Sequence, residues 1–119
     1  MNKFKDLIVW QKSIEIVTVI YSLTASFPKE EMYGISSQIR RCAISIPSNI
    51  AEGAGRGTPK DFSHFLDIAK GSSFELETQL LISLNLKYLN HDKYETIAAQ
   101  LNEIQKMITG LQKSLFSNY

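Results

Sequence analysis

Apolar residues recur along this chain at intervals of three and four, the spacing that places side chains on one side of an α-helix. No stretch alternates with period two, as a half-buried strand would. Four helical segments follow from the pattern. The first spans about 6–26, with Asp6 as N-cap and "FPKE" as terminator. In it Leu7, Trp10, Ile14, Val17 and Tyr21 form a core-facing stripe, which Ile16, Val19, Ile20 and Leu23 widen. A helix apolar over so much of its circumference is expected to bury a second face, centrally in a bundle or against another subunit.

The second segment spans about 30–54, with Glu30 and Glu31 supplying the negative charge that suits a helix N-terminus. Ile35, Ile39, Cys42 with Ala43, Ile46 and Ile50 keep the helical spacing. Pro47 falls inside this run. It has no N–H for the carbonyl of Ala43 and its ring crowds that carbonyl, so a kink is expected there. The apolar register continues on both sides, which predicts one bent helix rather than two.

The third segment, about 58–88, opens on "TPKD": Thr58 as N-cap, Pro59 at the first helical position, Asp61 in the first turn. Phe62, Phe65, Leu66, Ala69, Leu76, Leu80 and Leu84 mark its core face as far as Tyr88. Gly71, followed by Ser72 and Ser73, predicts close approach of a neighbouring helix. The fourth, about 92–116, opens at Asp92 with Glu95 as capping-box partner. Tyr94, Ile97, Leu101, Ile104, Ile108, Leu111 and Leu115 then give a coiled-coil-like seam, and "SNY" is a short tail. Short connections between such segments favour antiparallel neighbours. The expected fold is all-α, an up-down-up-down four-helix bundle in a single domain over 1–119.

The glycine-rich stretch "SIPSNIAEGAGRGTPKDF" asks whether the chain carries a phosphate loop. A Walker loop needs Gly-x-x-x-x-Gly-Lys and then Ser or Thr after a strand, and a dinucleotide fingerprint also follows a strand. Here the lysine is displaced to Lys60, and Gly53, Gly55 and Gly57 follow a helix. Glycine beyond a helix end, followed by an N-cap, instead makes a corner between two helices.

Composition narrows the function classes. Hydrophobic residues at 44% and charged residues at 21% describe an ordinary globular protein. The net charge is +1, from 13 basic and 12 acidic residues, so bulk charge gives no support to phosphate neutralisation as the main task. Arg40, Arg41, Arg56 and Lys60 are the local basic excess, and are the candidate RNA or DNA contacts if an oligomer gathers them. Cys42 is the single cysteine, which leaves no intrachain disulfide and reads as a small buried hydrophobe. His64 and His91 fit no metal-ligand spacing. No stretch reads as a signal peptide or is long enough to span a membrane, so a reducing cytoplasm is expected.

On the second segment Gln38, Arg41, Ser45, Asn49 and Glu52 advance by three or four residues as one polar stripe. On the third, Ser72 and Glu75 are three apart, and Glu75 comes within reach of an arginine on the second. The stripe reads first as an inter-helix or inter-subunit hydrogen-bond network that sets register, with a ligand or nucleic-acid contact as the alternative. Glu75 and Glu77, two apart, diverge and make a poor acid/base couple. The Glu-x-x-His pairs of di-iron bundles are missing. With no nucleophile–base pair or cofactor loop, the sequence predicts no catalytic residue, no cofactor, no metal and no small-molecule substrate.

The segments "DLIVWQKS", "FPKEEMYGISSQIRRCAISIPSNIAEGAGR", "FSHFLDIAKGSSFELETQL" and "LKYL" resemble the small bacterial four-helix-bundle family encoded within intervening sequences of 23S ribosomal RNA genes, also called the ribosomal S-twenty-three-type family. The resemblance runs from about Phe4 to Leu115. It implies a closed bundle that assembles as a ring, commonly a homopentamer, with no established enzymatic site. It also implies similarity in fold and assembly to the accessory variability determinant of diversity-generating retroelements, whose basic ring works with a reverse transcriptase and nucleic acid. The present chain lacks a comparable basic excess. The expected function is therefore a non-enzymatic oligomeric interaction protein, with an RNA- or DNA-binding accessory protein as the alternative.

Overall fold

A computed structural model describes residues 3–117, so Asn118 and Tyr119 of the expected tail lie outside the described residues. Four long helices occupy most of it: α1 (Ile8–Thr24), α2 (Ile35–Ala54), α3 (Pro59–Asn85) and α4 (His91–Ser114). Short 3₁₀ turns at Phe4–Asp6 and Lys29–Glu31 precede α1 and α2, and no strand occurs among the described residues. The helices pack as a four-helix bundle about 50 Å long and 20–23 Å across.

The register follows from named pairs. Gly53 meets Phe62 and Phe65 while Ser45 meets Ser72, so α2 and α3 run in opposite directions. Glu77 faces Gln105 and Asp67 faces Gln112, which reverses α4 against α3. Lys12 reaches Glu103 from α1, and Arg40 of α2 reaches Thr24 near the end of α1. Each helix thus touches two neighbours.

Ile16, Ile20, Ile39, Ile46, Ile50, Leu66, Leu76, Leu80, Leu101, Ile104 and Ile108 are fully buried along the axis. Each such side chain contributes roughly 1.5–3 kcal/mol relative to exposure. On α1 the buried arc is Val9, Ser13, Ile16, Ile20, Leu23 and Thr24. Trp10 and Val17 flank it, but Ile14 and Tyr21 face outward, contrary to the stripe expected for this helix. The helix is apolar over more of its circumference than α2 and α4 can cover, and packing chose the arc that the spacing left ambiguous.

Four of the buried hydroxyls are tolerated because they bond back to their own helix. Ser13 donates to the Trp10 carbonyl (2.7 Å), Thr24 to Ile20 (2.8 Å), Ser73 to Lys70 (2.6 Å) and Ser83 to Gln79 (2.9 Å).

Some helix ends agree with expectation and others depart from it. Thr58 accepts from the Asp61 N–H at 3.1 Å with Pro59 at the first position. Gly57 supplies a φ of +92° just before it, so the glycine stretch is a corner. Asp6 is not the α1 cap: it lies in a 3₁₀ turn, and Leu7 takes the cap position with no side-chain bond. The second helix begins at Ile35, not near 30, because Lys29–Glu31 closes a separate 3₁₀ turn. Glu31 still serves the helix start, accepting from the Ile35 N–H at 3.4 Å. Asn90, rather than Asp92, caps α4 by accepting from the Lys93 N–H at 2.8 Å. Through Pro47, α2 continues as one helix.

Gly71 also departs from expectation. A Cβ built there meets nothing within 4 Å, whereas one at Gly53 would stand 2.7 Å from Phe65 Cβ. The close approach of α2 and α3 is at the corner.

Candidate functional site

The polar residues singled out on the second and third helices converge between α2 and α3. Gln38, Arg41, Cys42 and Ser45 from α2, with Ser72, Glu75 and Gln79 from α3, line a cleft of about 370 Å³. Helical periodicity explains the gathering: positions 38, 41, 42 and 45 share a face of α2, and 72, 75 and 79 share a face of α3. The Ser45 and Ser72 hydroxyls are hydrogen-bonded at 2.9 Å, and the Asn49 amide donates to the Ser45 hydroxyl (2.9 Å) and carbonyl (2.8 Å). These bonds tie the two helices at one end of the cleft. Burial, together with the neighbouring Glu75 carboxylate, pushes the Cys42 thiol up from its ordinary 9.0 to about 11. Cys42 is therefore a protonated thiol at neutral pH rather than a nucleophile. The Gln79 Oε1 is buried without a hydrogen-bond partner in the protein.

Cys42 and Gln79 were missed as site residues from sequence. The signal for Gln79 was present, since it follows Ser72 by seven residues and Glu75 by four. Glu52, expected in the same network, instead pairs with Arg56 at 3.1 Å beyond the cleft. No ion pair joins Glu75 to an arginine among the described residues, because its carboxylate lies beside Cys42. Glu77 faces α4 and accepts from the Gln105 amide at 3.2 Å, so the two glutamates do diverge.

The basic residues do not gather within one copy. Arg40 donates from Nε to the Thr24 hydroxyl at 2.8 Å and its guanidinium lies 4.5 Å over the Tyr21 ring, so it is committed to the α1/α2 seam. Arg56 is held by Glu52 and stands 4.9 Å over the Phe65 ring. Arg41 and Lys60 are exposed. Arg41 lies in the first half of α2 and Arg56 just past its end, roughly 20 Å away at the helical rise.

Two further surface features stand on opposite sides of the bundle. Between α1 and α2, Tyr21, Met32, Tyr33, Ser37, Arg40, Arg41 and Ile44 border a groove of about 360 Å³. Its apolar members are open, with Tyr33 93% and Met32 54% exposed. Between α3 and α4, Phe74, Glu77, Thr78, Leu81, Tyr94 and Gln105 border a groove of about 340 Å³, with Phe74 51% exposed. Burial, with Glu77 nearby, raises the Tyr94 phenol above its ordinary value. No group of three His, Cys, Asp or Glu side chains stands close enough to hold a metal among the described residues, and no helix there is long and apolar enough to cross a membrane.

The sequence profile of a family described as 23S rRNA-intervening sequence protein matches residues 5–110. A solved structure from Bacteroides thetaiotaomicron VPI-5482, a protein with unknown function from the S23 ribosomal protein family at 1.70 Å resolution, superposes with a TM-score of 0.80. It is 28% identical, and the match covers 89% of this chain and 99% of that one. No curated protein sequence matches significantly.

Proposed function

This chain belongs to the 23S rRNA-intervening sequence protein family, and from that premise we propose that it is a non-enzymatic oligomeric interaction protein whose copies join groove to groove. One observation carries the reading: large apolar side chains stand exposed in two different grooves on opposite sides of one bundle. Exposed apolar surface of that kind is typical of association sites. The grooves are also complementary in charge, with Arg40 and Arg41 in the α1/α2 groove and Glu77 in the α3/α4 groove. A contact between two different faces is heterologous, and such contacts repeat from copy to copy until a ring closes. A homopentamer is the ring size that the family resemblance favours, and the cytoplasm is the setting it suits.

Size-exclusion chromatography with light scattering tests the reading. The expected mass is a multiple of the 13.5 kDa chain. A monodisperse monomer at micromolar concentration refutes it.

A second reading, an RNA- or DNA-binding accessory protein, draws on Arg41 and Lys60, both exposed and outside the described ion pairs. A salt-dependent mobility shift of labelled RNA or DNA, lost in Arg41→Glu, supports it, and no shift at low salt dismisses it. Arg40→Glu is a poorer probe, since it also removes the bond to Thr24.

A further inference from the structure

We propose that Arg41 of one copy seats in the α3/α4 groove of the next and pairs there with Glu77, so that one charge pair sets the register at which copies join. The inference rests on the groove-to-groove reading above and adds the contact that makes the joint selective.

The α3/α4 groove suits a cation. Glu77 is the one charged residue that borders it. This half-buried carboxylate accepts from the Gln105 amide through Oε1 at 3.2 Å, and its Oε2 has no hydrogen bond or ion pair among the described residues. Phe74, 51% exposed, and Tyr94 border the same groove. A carboxylate beside aromatic side chains attracts a guanidinium both by charge and through the ring faces.

The α1/α2 groove offers the matching group. No acidic side chain borders it, and of its two arginines Arg40 is committed to Thr24 and the Tyr21 ring. Arg41 is exposed and makes no hydrogen bond or ion pair among the described residues. By itself that describes any solvated surface arginine. Its height on the bundle is what singles it out.

The Ser45–Ser72 hydrogen bond places those two residues level on α2 and α3. The helices are antiparallel, so stepping back four residues from Ser45 to Arg41 and forward five from Ser72 to Glu77 moves the same way along the bundle. At the helical rise these steps are about 6 Å and about 7.5 Å. Arg41 and Glu77 therefore stand within about 2 Å of one level, on opposite sides of the molecule. Side-by-side copies turned about an axis parallel to the bundle meet at equal heights and close into a ring, whereas an offset would build a staircase.

The test is a charge-swap cycle on the full chain, with the concentration at half-assembly read by light scattering over a dilution series. Arg41→Glu and Glu77→Arg should each raise that concentration by about tenfold or more, because each sets like charges against one another across the joint. The doubly reversed chain restores opposite charges at every joint and should return to within about threefold of the parent. A neutral cycle guards against a folding defect in Glu77→Arg. Arg41→Gln and Glu77→Gln keep the side-chain lengths close to the originals, and combining them should be no worse than the weaker single variant.

Three results overturn the pair while the parent chain assembles: single reversals without effect, a double reversal no better than the singles, or neutral substitutions whose effects simply add. The groove-to-groove reading then stands on apolar contact alone. A parent chain that stays monomeric overturns both.

Discussion

Gly53 lies flush against Phe65: a methyl group at position 53 would stand 2.7 Å from Phe65 Cβ and 3.0 Å from Phe62 Cδ1. This is where the end of α2 presses on the start of α3, so the glycine is required by packing. At Gly71 a methyl group would project into open space. Two identical substitutions should therefore have opposite effects. Gly53→Ala is expected to destabilise by about 1–3 kcal/mol, overpacking exceeding the gain in helix propensity. Gly71→Ala should stabilise by about 0.5–1 kcal/mol. Urea midpoints for the two variants check both signs.

Lys87 ends α3 with a φ of +67°, the left-handed conformation that disfavours a side chain bearing Cβ. The Tyr88 N–H returns to the Ser83 carbonyl and the Lys87 N–H to Leu84, both at 2.9 Å, which completes a Schellman cap. Lys87→Gly should then stabilise by roughly 0.5–1 kcal/mol, seen as a higher thermal midpoint.

Ser45 and Ser72 tie α2 to α3 through one hydroxyl pair. Replacing either by alanine leaves the other without that partner, whereas replacing both removes the need. A double-mutant cycle should give a coupling of about 0.5–1.5 kcal/mol, and strict additivity would mean that the bond contributes nothing.

Cys42 gives a pH signature. Burial and Glu75 raise the thiol from 9.0 to about 11, so the native chain keeps a proton that the unfolded chain releases. The associated stability is complete below pH 9 and is lost as pH rises towards about 11. Tyr88, which donates to Glu31 at 2.8 Å, and Tyr94 are also raised above 10.0 and act in the same direction at higher pH. Stability against urea should decline across this window, less steeply in Cys42→Ala. Iodoacetamide at pH 8 should label native Cys42 about 100-fold more slowly than the denatured chain.

Much of this architecture was legible because its causes are local or periodic. "TPKD" specified the start of α3 through capping chemistry within four residues, and the apolar seam of α4 needed no partner to be seen. Where the physics was tertiary, the reading failed. The arc of α1 that faces inward depends on where α2 and α4 lie, so Ile14 and Tyr21 were misplaced. Which glycine marks a close approach depends on inter-helix register, so Gly71 was chosen and Gly53 was the answer. Glu30 and Glu31 suited a helix start, but they equally suit the 3₁₀ turn they form. The polar stripe was visible at Gln38, Arg41 and Ser45. Its convergence with Glu75 and Gln79 into one cleft required the register of α3.

Joining of opposite grooves is the central claim, and complementation by light scattering tests it most directly. Met32→Glu spoils the α1/α2 groove and Leu81→Glu the α3/α4 groove, both at exposed positions that leave the core intact. Each variant alone should be a monomer of about 13.5 kDa. Mixed in equal amounts, each supplies the groove the other lacks, and the mass should double to that of a dimer. A monomeric parent chain, or two variants that stay monomeric when mixed, would contradict the account.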